Sequence, residues 1–370
     1  MGVQTHTLGQ LDVAVYAFVS TSYPERAGDP GGHFVRAEAQ RRAAEGHEVH
    51  VVCPGDDRVD GAVQVWGCGG GEAFGWPGAL TRLRENPLRL ASAGSFCVAA
   101  ARRLRALPRV DAFVAHFVLP SALLPPVSDA ELEVVGHGSD LRVVARLPRG
   151  ARAALFDALL RRGASFRFSS GAGRRELARS LPTPLSIALM RRSVVALPSI
   201  DVAPVDVPSR DRRRSELFGD EDVVVAMCGR LVEEKRFHLA LDAVEAVGAV
   251  ALVIGDGPAR ASLERKAAEA GVRARFVGQR TRPDALLDLS CADVVVHPSI
   301  REGAPTVVRE ARALGVPVVC CACGDVGVWA EDDDELFVVP GDGLSQAVVT
   351  RLAKKIDKLC ATRRPAAFRL

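Results

Sequence analysis

The sequence predicts an α/β protein made of two doubly wound domains, each a parallel sheet covered on both faces, with a cleft between them. Three observations carry this expectation. Short apolar runs rich in β-branched residues alternate with amphipathic stretches of about 10 to 15 residues along nearly the whole chain, the pattern of buried parallel strands joined by crossover helices. The alternation stops at a proline-rich segment near residue 200 and then starts again. The chain has 370 residues, which at roughly 100 to 200 residues per domain leaves room for two.

In the first half the expected strands are Val13–Val19, Val49–Cys53, Ala112–Ala115, Glu133–Gly136, Ser165–Phe168 and Val194–Leu197, with helices over Phe34–Glu45 and Ser92–Leu107. Residues 197–214, LPSIDVAPVDVPSRDRRR, contain Pro198, Pro204 and Pro208 without apolar periodicity and read as an interdomain linker. Beyond it the expected strands are Val223–Met227, Ala251–Ile254, Arg275–Val277, Val294–Val296, Val316–Val319 and Phe337–Val339, separated by amphipathic segments such as ARASLERKAAEA. The domains are expected at 1–198 and 199–345, followed by a C-terminal helical segment, 346–370. Ligands of doubly wound sheets bind beyond the carboxyl ends of the strands, so the chemistry is expected in the cleft.

Apolar residues make up 48% and charged residues 25% of the chain, and the mean hydropathy is +0.10, so the composition is that of a soluble globular protein with large cores. The nine Cys are too sparse for a disulfide scaffold and several sit in apolar runs, which points to a reducing, cytoplasmic compartment. No stretch approaches the roughly 18 apolar residues of a membrane span, and the N-terminal MGVQTHTLGQLD lacks the pattern of a signal peptide. His6 stands where a myristoylation signal has Ser or Thr.

The net charge of +3 conceals an asymmetry: residues 1–200 carry 24 Arg against 18 acidic side chains, whereas the remainder is net acidic. Twelve Arg lie between Arg142 and Arg192. Seven more lie in the segment 81–109, which Pro87 and Gly94 are expected to break into shorter helices. The excess reads either as a solvated basic face or as attraction to an anionic membrane surface. Nucleic acid is disfavoured, because aromatics are only 5% and no stacking motif accompanies the bases.

The densest chemical cluster is REGAPTVVREARALGVPVV, with Glu302 in a strand-to-helix loop, Pro305 at an expected first helical position and Glu310 eight residues after Glu302. Gly303, Ala304, Pro305 and Thr306 make a helix start whose free amides and dipole favour a phosphate. Carboxylates beside an anion site suit a ligand with hydroxyls next to phosphate, as in a nucleotide sugar. In AMCGRLVEEKRF a strand ends at Gly229, and Arg230 and Lys235 follow five positions apart, a spacing able to clamp a diphosphate. In the first half, Gly31 and Gly32 open a helix after the first strand, and His137 follows a strand end in VVGHGSDLR; His116 reads as structural. No HExxH, paired CxxC, GxSxG, GxGxxG or GxxxxGK[ST] occurs, which argues against zinc hydrolases, serine hydrolases, dinucleotide oxidoreductases and P-loop enzymes.

Taken in order, GRLVEEK (229–235), VIGDGP (253–258), FVGQ (276–279), ADVVVHPS (292–299) and the Glu302 to Glu310 pair resemble the retaining glycosyltransferases of group 1, also called family 4, which have the GT-B fold of two Rossmann-like domains. GDPGGHF, GHEVHVV and HGSD resemble the acceptor-side domain of the same family. The resemblance implies a metal-independent hexosyltransferase without cofactor, moving sugar from a nucleotide-diphosphate donor to a glycan or lipid-linked acceptor in surface polysaccharide synthesis. It implies that Arg230 and Lys235 hold the diphosphate and that Glu310 binds the ribose. Glu302, with the backbone near Gly303 and Ala304, would take the transferred sugar, with His137 on the opposite wall and Gly278 and Gln279 beside the base. A non-catalytic nucleotide-sugar-binding protein and a nucleotide-sugar epimerase on the same fold are the alternative readings. Arg236 departs from the family pattern, which has Gly there, and Ser199 and Ile200 depart at the hinge.

Overall fold

The computed structural model describes residues 13–363 except 27, 30, 75–78 and 219–222. The stretches 1–12 and 364–370, on which the expectations about a leader, acylation and the end of the helical segment fall, lie outside the described residues.

The N-terminal sheet has eight strands: β1 (Val15–Ser20), β2 (Glu48–Cys53), β3 (Arg58–Asp60), β4 (Val63–Gly67), β5 (Ala112–His116), β6 (Glu131–Gly136), β7 (Ser165–Phe168) and β8 (Ser193–Val195). Their order is β3-β4-β2-β1-β5-β6-β7-β8, parallel except for the β3–β4 hairpin. The C-terminal sheet has six parallel strands: β9 (Val224–Cys228), β10 (Val250–Ile254), β11 (Ala274–Gly278), β12 (Val294–His297), β13 (Val318–Cys321) and β14 (Leu336–Val339), in the order β11-β10-β9-β12-β13-β14. Both faces of each sheet are covered, so consecutive strand residues such as Ala17, Phe18 and Val19 are all buried, the even and odd positions in different cores.

Strand order reverses at β1/β5 in one sheet and at β9/β12 in the other. Such switch points open a crevice at the carboxyl ends of the strands. The loops that leave β1, β5, β9 and β12 are therefore the ones placed to hold a ligand, and they carry Gly31 and Gly32, Phe117, Arg230 and Lys235, and Glu302.

Every strand expected from the sequence is present, with ends shifted by one or two residues. The β3–β4 hairpin has no counterpart among the expected strands: it forms a short edge, with three of its eight positions polar, and lacks the apolar run that marks central strands. The expected linker is helical over Val207–Leu217, because Asp206 caps the helix by accepting the Ser209 amide at 2.9 Å and Pro208 occupies the first turn, where its missing N–H costs nothing. Gly94 does not interrupt its segment; the break comes only around Pro87, and Arg89–Ala106 runs as one helix. The helix Ser345–Arg363 packs on the helix Phe237–Ala246 and buries Val348, Leu352 and Ile356 in the C-terminal core.

The arginine-rich stretch is not one solvated face. Arg152 is buried and donates to the carbonyls of Ala145 and Ser180, Arg162 donates to Pro125 and Pro126, and Arg167 is held between carboxylates. Arg146, Arg149, Arg161 and Arg179 remain exposed. Among the described residues no helix is long and apolar enough to cross a membrane.

The helix Val207–Leu217 is fastened to the C-terminal domain by Asp288, which is 1% exposed and accepts from Arg213 Nε at 2.7 Å and Arg280 Nε at 2.9 Å. Replacing one partner of a buried ion pair leaves the other charges uncompensated. Asp288→Asn is expected to lower the unfolding free energy by about 3 kcal/mol, measured by urea denaturation; a loss below about 0.5 kcal/mol, the size of a surface substitution, would contradict this anchoring role.

Candidate active site

The site is built from the two switch points. At the end of β9 the chain turns through Gly229 and Arg230, makes a 3₁₀ turn over Glu233–Lys235 and enters the helix Phe237–Ala246. Arg236, at the entry, adopts the left-handed conformation that favours glycine, φ 56°, which costs a residue with a Cβ about 1 kcal/mol. Its guanidinium donates to Gly341 O at 2.8 Å, a contact glycine lacks. The turn brings Lys235 Nζ within 2.6 Å of Glu302 Oε1, in the loop after β12. Ser299 Oγ donates to the same oxygen at 3.3 Å, and His297 Nε2 lies 4.0 Å from it. Burial alone would raise the Glu302 carboxyl, but the Lys235 ammonium outweighs it and holds the group at about 2. Arg230 is half-buried; desolvation lowers its pKa, and Glu302 is near enough to oppose the shift.

Glu310 lies one turn into the helix Thr306–Ala313 and is buried. Pro305 is the cap residue rather than the first helical one, so the helix starts at Thr306, one position later than the sequence suggests. Gly303 is buried while Ala304 and Thr306 are half-buried at this helix entry. Arg282 Nη1 contacts Glu310 Oε1 at 2.5 Å, and His33 Nε2, from the N-terminal domain, is 3.8 Å from that oxygen. Cys228, at the end of β9, is raised to about 12, first by burial and next by the charge of Glu310, with Lys235 acting in the opposite sense. Glu310 and Lys235 are thus both near the thiol at the end of β9.

The opposite wall comes from the N-terminal domain. His137 follows β6; its amide donates to Asp140 Oδ1 at 2.8 Å, while Val118 N donates to Asp140 Oδ2 at 2.9 Å. One buried carboxylate therefore ties the loops after β5 and β6 together. Gly138 and Gly303 meet across the cleft: a Cβ on Gly138 would stand 3.0 Å from Gly303 N. Behind them, a Cβ on Gly324 would lie 1.9 Å from Gly303 O, so only glycine fits under the Glu302 loop. Gly32 caps the helix His33–Ala44 and packs on the Ser22 carbonyl, and Gly31 is exposed beside it. The same loop reaches over the C-terminal domain, where Gly28 O accepts from Arg282 N at 2.7 Å. Gly278 accepts from Gly255 N at the end of β11, and Gln279 after it is exposed.

Of the residues chosen from the sequence, Gly229, Arg230, Lys235, Glu302 and Gly303 converge directly, with Glu310 beyond Cys228 and His137 across the cleft. Gly278 and Gln279 are at the neighbouring strand end without a contact to these side chains. Sequence reasoning missed Arg282 and His33, which meet Glu310, and the buried His116, whose Nδ1 is 3.0 Å from His137 Nε2. Among the described residues no group of His, Cys, Asp and Glu side chains could hold a metal ion.

Residues 209–366 match the family described as Glycosyl transferases group 1. The matched residues lie in the C-terminal half of the chain. A putative teichuronic acid biosynthesis glycosyltransferase, TuaC, from Bacillus subtilis (strain 168) is 29% identical over 250 residues, which are 64% of this chain and 60% of that protein. The chain thus spans three fifths or less of the first curated relatives it matches. Among solved structures, sucrose-phosphate synthase from Thermosynechococcus elongatus superposes with a TM-score of 0.72 at 18% identity, covering 95% of this chain and 92% of that one. Anabaena Alr3699/HepE in complex with UDP and glucose superposes with a TM-score of 0.61 at 16% identity, covering 96% of each chain. The two sheets facing a cleft are the GT-B fold.

A carboxyl whose folded pKa is depressed stabilises the protein above its unfolded pKa and loses that contribution as pH falls through the folded one. For Glu302 the window runs from about 4.5 down to about 2. The stability difference between wild type and Glu302→Gln is expected to be constant above about pH 5 and to shrink steadily toward pH 2, as read from urea midpoints over that range. A difference independent of pH would show that Lys235 does not hold the carboxylate ionised.

Proposed function

We propose that the protein is a retaining glycosyltransferase that moves a sugar from a nucleotide-diphosphate donor to a glycan or lipid-linked acceptor in cell-surface polysaccharide synthesis. The observation that carries this reading is the Lys235–Glu302 contact at the β9/β12 switch point, inside the family-matched region and beside Arg230 and the start of the helix Thr306–Ala313. An ammonium, a guanidinium and a helix N-terminus converge on a space suited to a diphosphate. When a diphosphate enters, Lys235 exchanges Glu302 for a phosphate oxygen, and the released carboxylate accepts hydrogen bonds from the sugar hydroxyls. Glu310 serves the ribose in the same way, with Arg282 moving aside or onto the phosphates.

In the transfer step the bond between the anomeric carbon and the leaving phosphate oxygen breaks as the acceptor oxygen bonds to that carbon on the same face. The acceptor's proton passes to the leaving phosphate. Arg230 and Lys235 stabilise the charge that develops there, in place of a metal ion. The relatives support the donor and product class: TuaC is named for teichuronic acid biosynthesis, and the Anabaena structure holds UDP and glucose. A lipid-linked acceptor is supported by the exposed Leu88, 82% accessible, at the cap of the helix Arg89–Ala106, and by the exposed Leu90 in its first turn, close in sequence to several Arg, a surface suited to peripheral docking on anionic lipid.

Incubation with UDP-, GDP- and ADP-sugars, scoring nucleotide release with and without a lipid extract as acceptor, tests the reading; conversion of one nucleotide sugar to another without release would favour epimerisation instead. Lys235→Ala is expected to cost about 2 to 4 kcal/mol of transition-state stabilisation, lowering kcat some 30- to 10³-fold, with folding intact. Near-normal turnover would remove Lys235 from the site. Activity is expected to survive excess EDTA, because two cations already face the diphosphate; loss that Mg²⁺ or Mn²⁺ restores would contradict the clamp.

A further inference from the structure

Beneath the N-terminal wall lies a chain of buried polar groups that the transfer step does not use. Arg167, on β7, donates to both oxygens of Glu38, at 3.0 and 2.5 Å, and to Glu133 at 2.9 Å. Glu38, on the helix His33–Ala44, is 5% exposed, and its Oε2 lies 3.7 Å from Nε2 of His116 at the end of β5. His116 is fully buried, and its Nδ1 is 3.0 Å from Nε2 of His137. We infer that His116 is a positioning residue: it fixes the hydrogen of His137 on Nε2, so that His137 offers a bare Nδ1 to the ligand in the cleft.

The argument is one of elimination between two tautomer pairs. In a neutral imidazole one ring nitrogen donates and the other accepts, and a hydrogen bond between two rings needs one of each. If His116 donated from Nδ1, its bare Nε2 would face the Glu38 carboxylate at 3.7 Å, lone pair against negative charge, in a fully buried place. If His116 carries its hydrogen on Nε2, that N–H points its positive end at the carboxylate. His116 Nε2 has no hydrogen-bond partner among the described residues, and the Glu38 Oε2 atom 3.7 Å away is the carboxylate oxygen it faces. A low-dielectric interior magnifies the difference between attraction and repulsion. Arg167 donates to both oxygens of Glu38, which fixes where that carboxylate stands against His116.

The second arrangement leaves His116 Nδ1 as the acceptor and His137 Nε2–H as the donor. His137 Nδ1 is then the ring nitrogen without a partner among the described residues. The ring cannot swing freely, because Phe34 and Phe117 pack on it with centroids 4.6 and 4.9 Å away, and its main chain is tied to Asp140. Burial first pushes both histidines well below their ordinary value, aided at His116 by the charge of Arg167 and at His137 by His116 and then Arg167, so neither is doubly protonated near neutrality. The groups facing the pair are Glu38, Arg167, Glu133 and Asp140. A bare nitrogen accepts from a sugar hydroxyl, whereas an N–H there would donate to the hydroxyl oxygen, so the tautomer sets which way that hydroxyl's hydrogen points. This consequence rests on the transferase reading; the tautomer itself does not.

The test is a long-range ¹⁵N–¹H correlation spectrum of the whole protein labelled at histidine, at pH 7, with His116→Asn and His137→Gln used for assignment. The expected result is hydrogen on Nε2 in both rings. Hydrogen on Nδ1 of His137, or a doubly protonated ring, would overturn the inference whatever the enzyme does. Kinetics provides the second arm. His116→Asn keeps a carbonyl near the position of Nδ1 and is expected to stay within about threefold of wild-type kcat, whereas His116→Leu, similar in size without an acceptor, is expected to lose about tenfold or more in kcat, the worth of one hydrogen bond, with little change in KM. Equal losses in both variants, or none in His116→Leu, would contradict a positioning role. If His116→Leu does not fold, the spectrum and His116→Asn decide. A wild type that transfers no sugar would refute the transferase reading, and the spectrum alone would then decide the tautomer.

Discussion

The contact between Lys235 and Glu302 organises the cleft. It joins the loops that leave β9 and β12, the two strands between which the C-terminal sheet changes direction. An ammonium and a carboxylate brought this close in a mostly buried place satisfy each other, and the Lys235 charge holds the Glu302 carboxyl well below its ordinary range. Under the proposed function the same pairing would make the site responsive, with a diphosphate taking Lys235 and sugar hydroxyls taking Glu302. Everything around the pair fixes its position: Ser299 on the same carboxylate oxygen, Gly324 packed under Gly303, and Arg236 strained at the helix entry.

The domains are joined in the same spirit, by contacts that use charge and backbone rather than a large apolar seam. Asp325 of the C-terminal domain accepts the amides of Gly171 and Ala172 at the start of an N-terminal-domain helix, and Arg142 donates to Arg301 O at 2.8 Å. Arg309 donates to Pro198 O in the connecting segment, and Gly28 O takes the Arg282 amide on the other side of the cleft. Polar contacts of this kind are individually modest in water. Together they hold the close approach of Gly138 to Gly303 across the cleft.

The strands were legible because buried parallel strands are continuous apolar runs, and the apolar run is the strongest signal a sequence carries. The β3–β4 hairpin was hidden because an edge strand such as RVD has one wet face. The helix Val207–Leu217 was hidden because its prolines resemble those of a linker, whereas Asp206 and Pro208 form a cap and a first turn. Arg230, Lys235, Glu302 and Glu310 were legible as an ordered pattern within the resemblance. Arg282, His33, His116 and Glu38 were not. Each meets its partner only through strand order, across separations that no local motif records, and Arg167 was lost among eleven other arginines whose surroundings the sequence does not distinguish.

The central claim is that Glu302 holds Lys235 only until a diphosphate arrives, whereas Glu310 belongs to the nucleotide. Calorimetric titration of wild type, Glu302→Gln and Glu310→Gln with UDP, GDP and ADP tests it most directly. Removing the Glu302 charge frees Lys235 and takes away repulsion, so Glu302→Gln is expected to bind the preferred nucleoside diphosphate at least as tightly as wild type, while Glu310→Gln binds it about tenfold more weakly, the worth of one hydrogen bond to a charged group. A Glu302→Gln protein that loses as much affinity as Glu310→Gln would contradict the account.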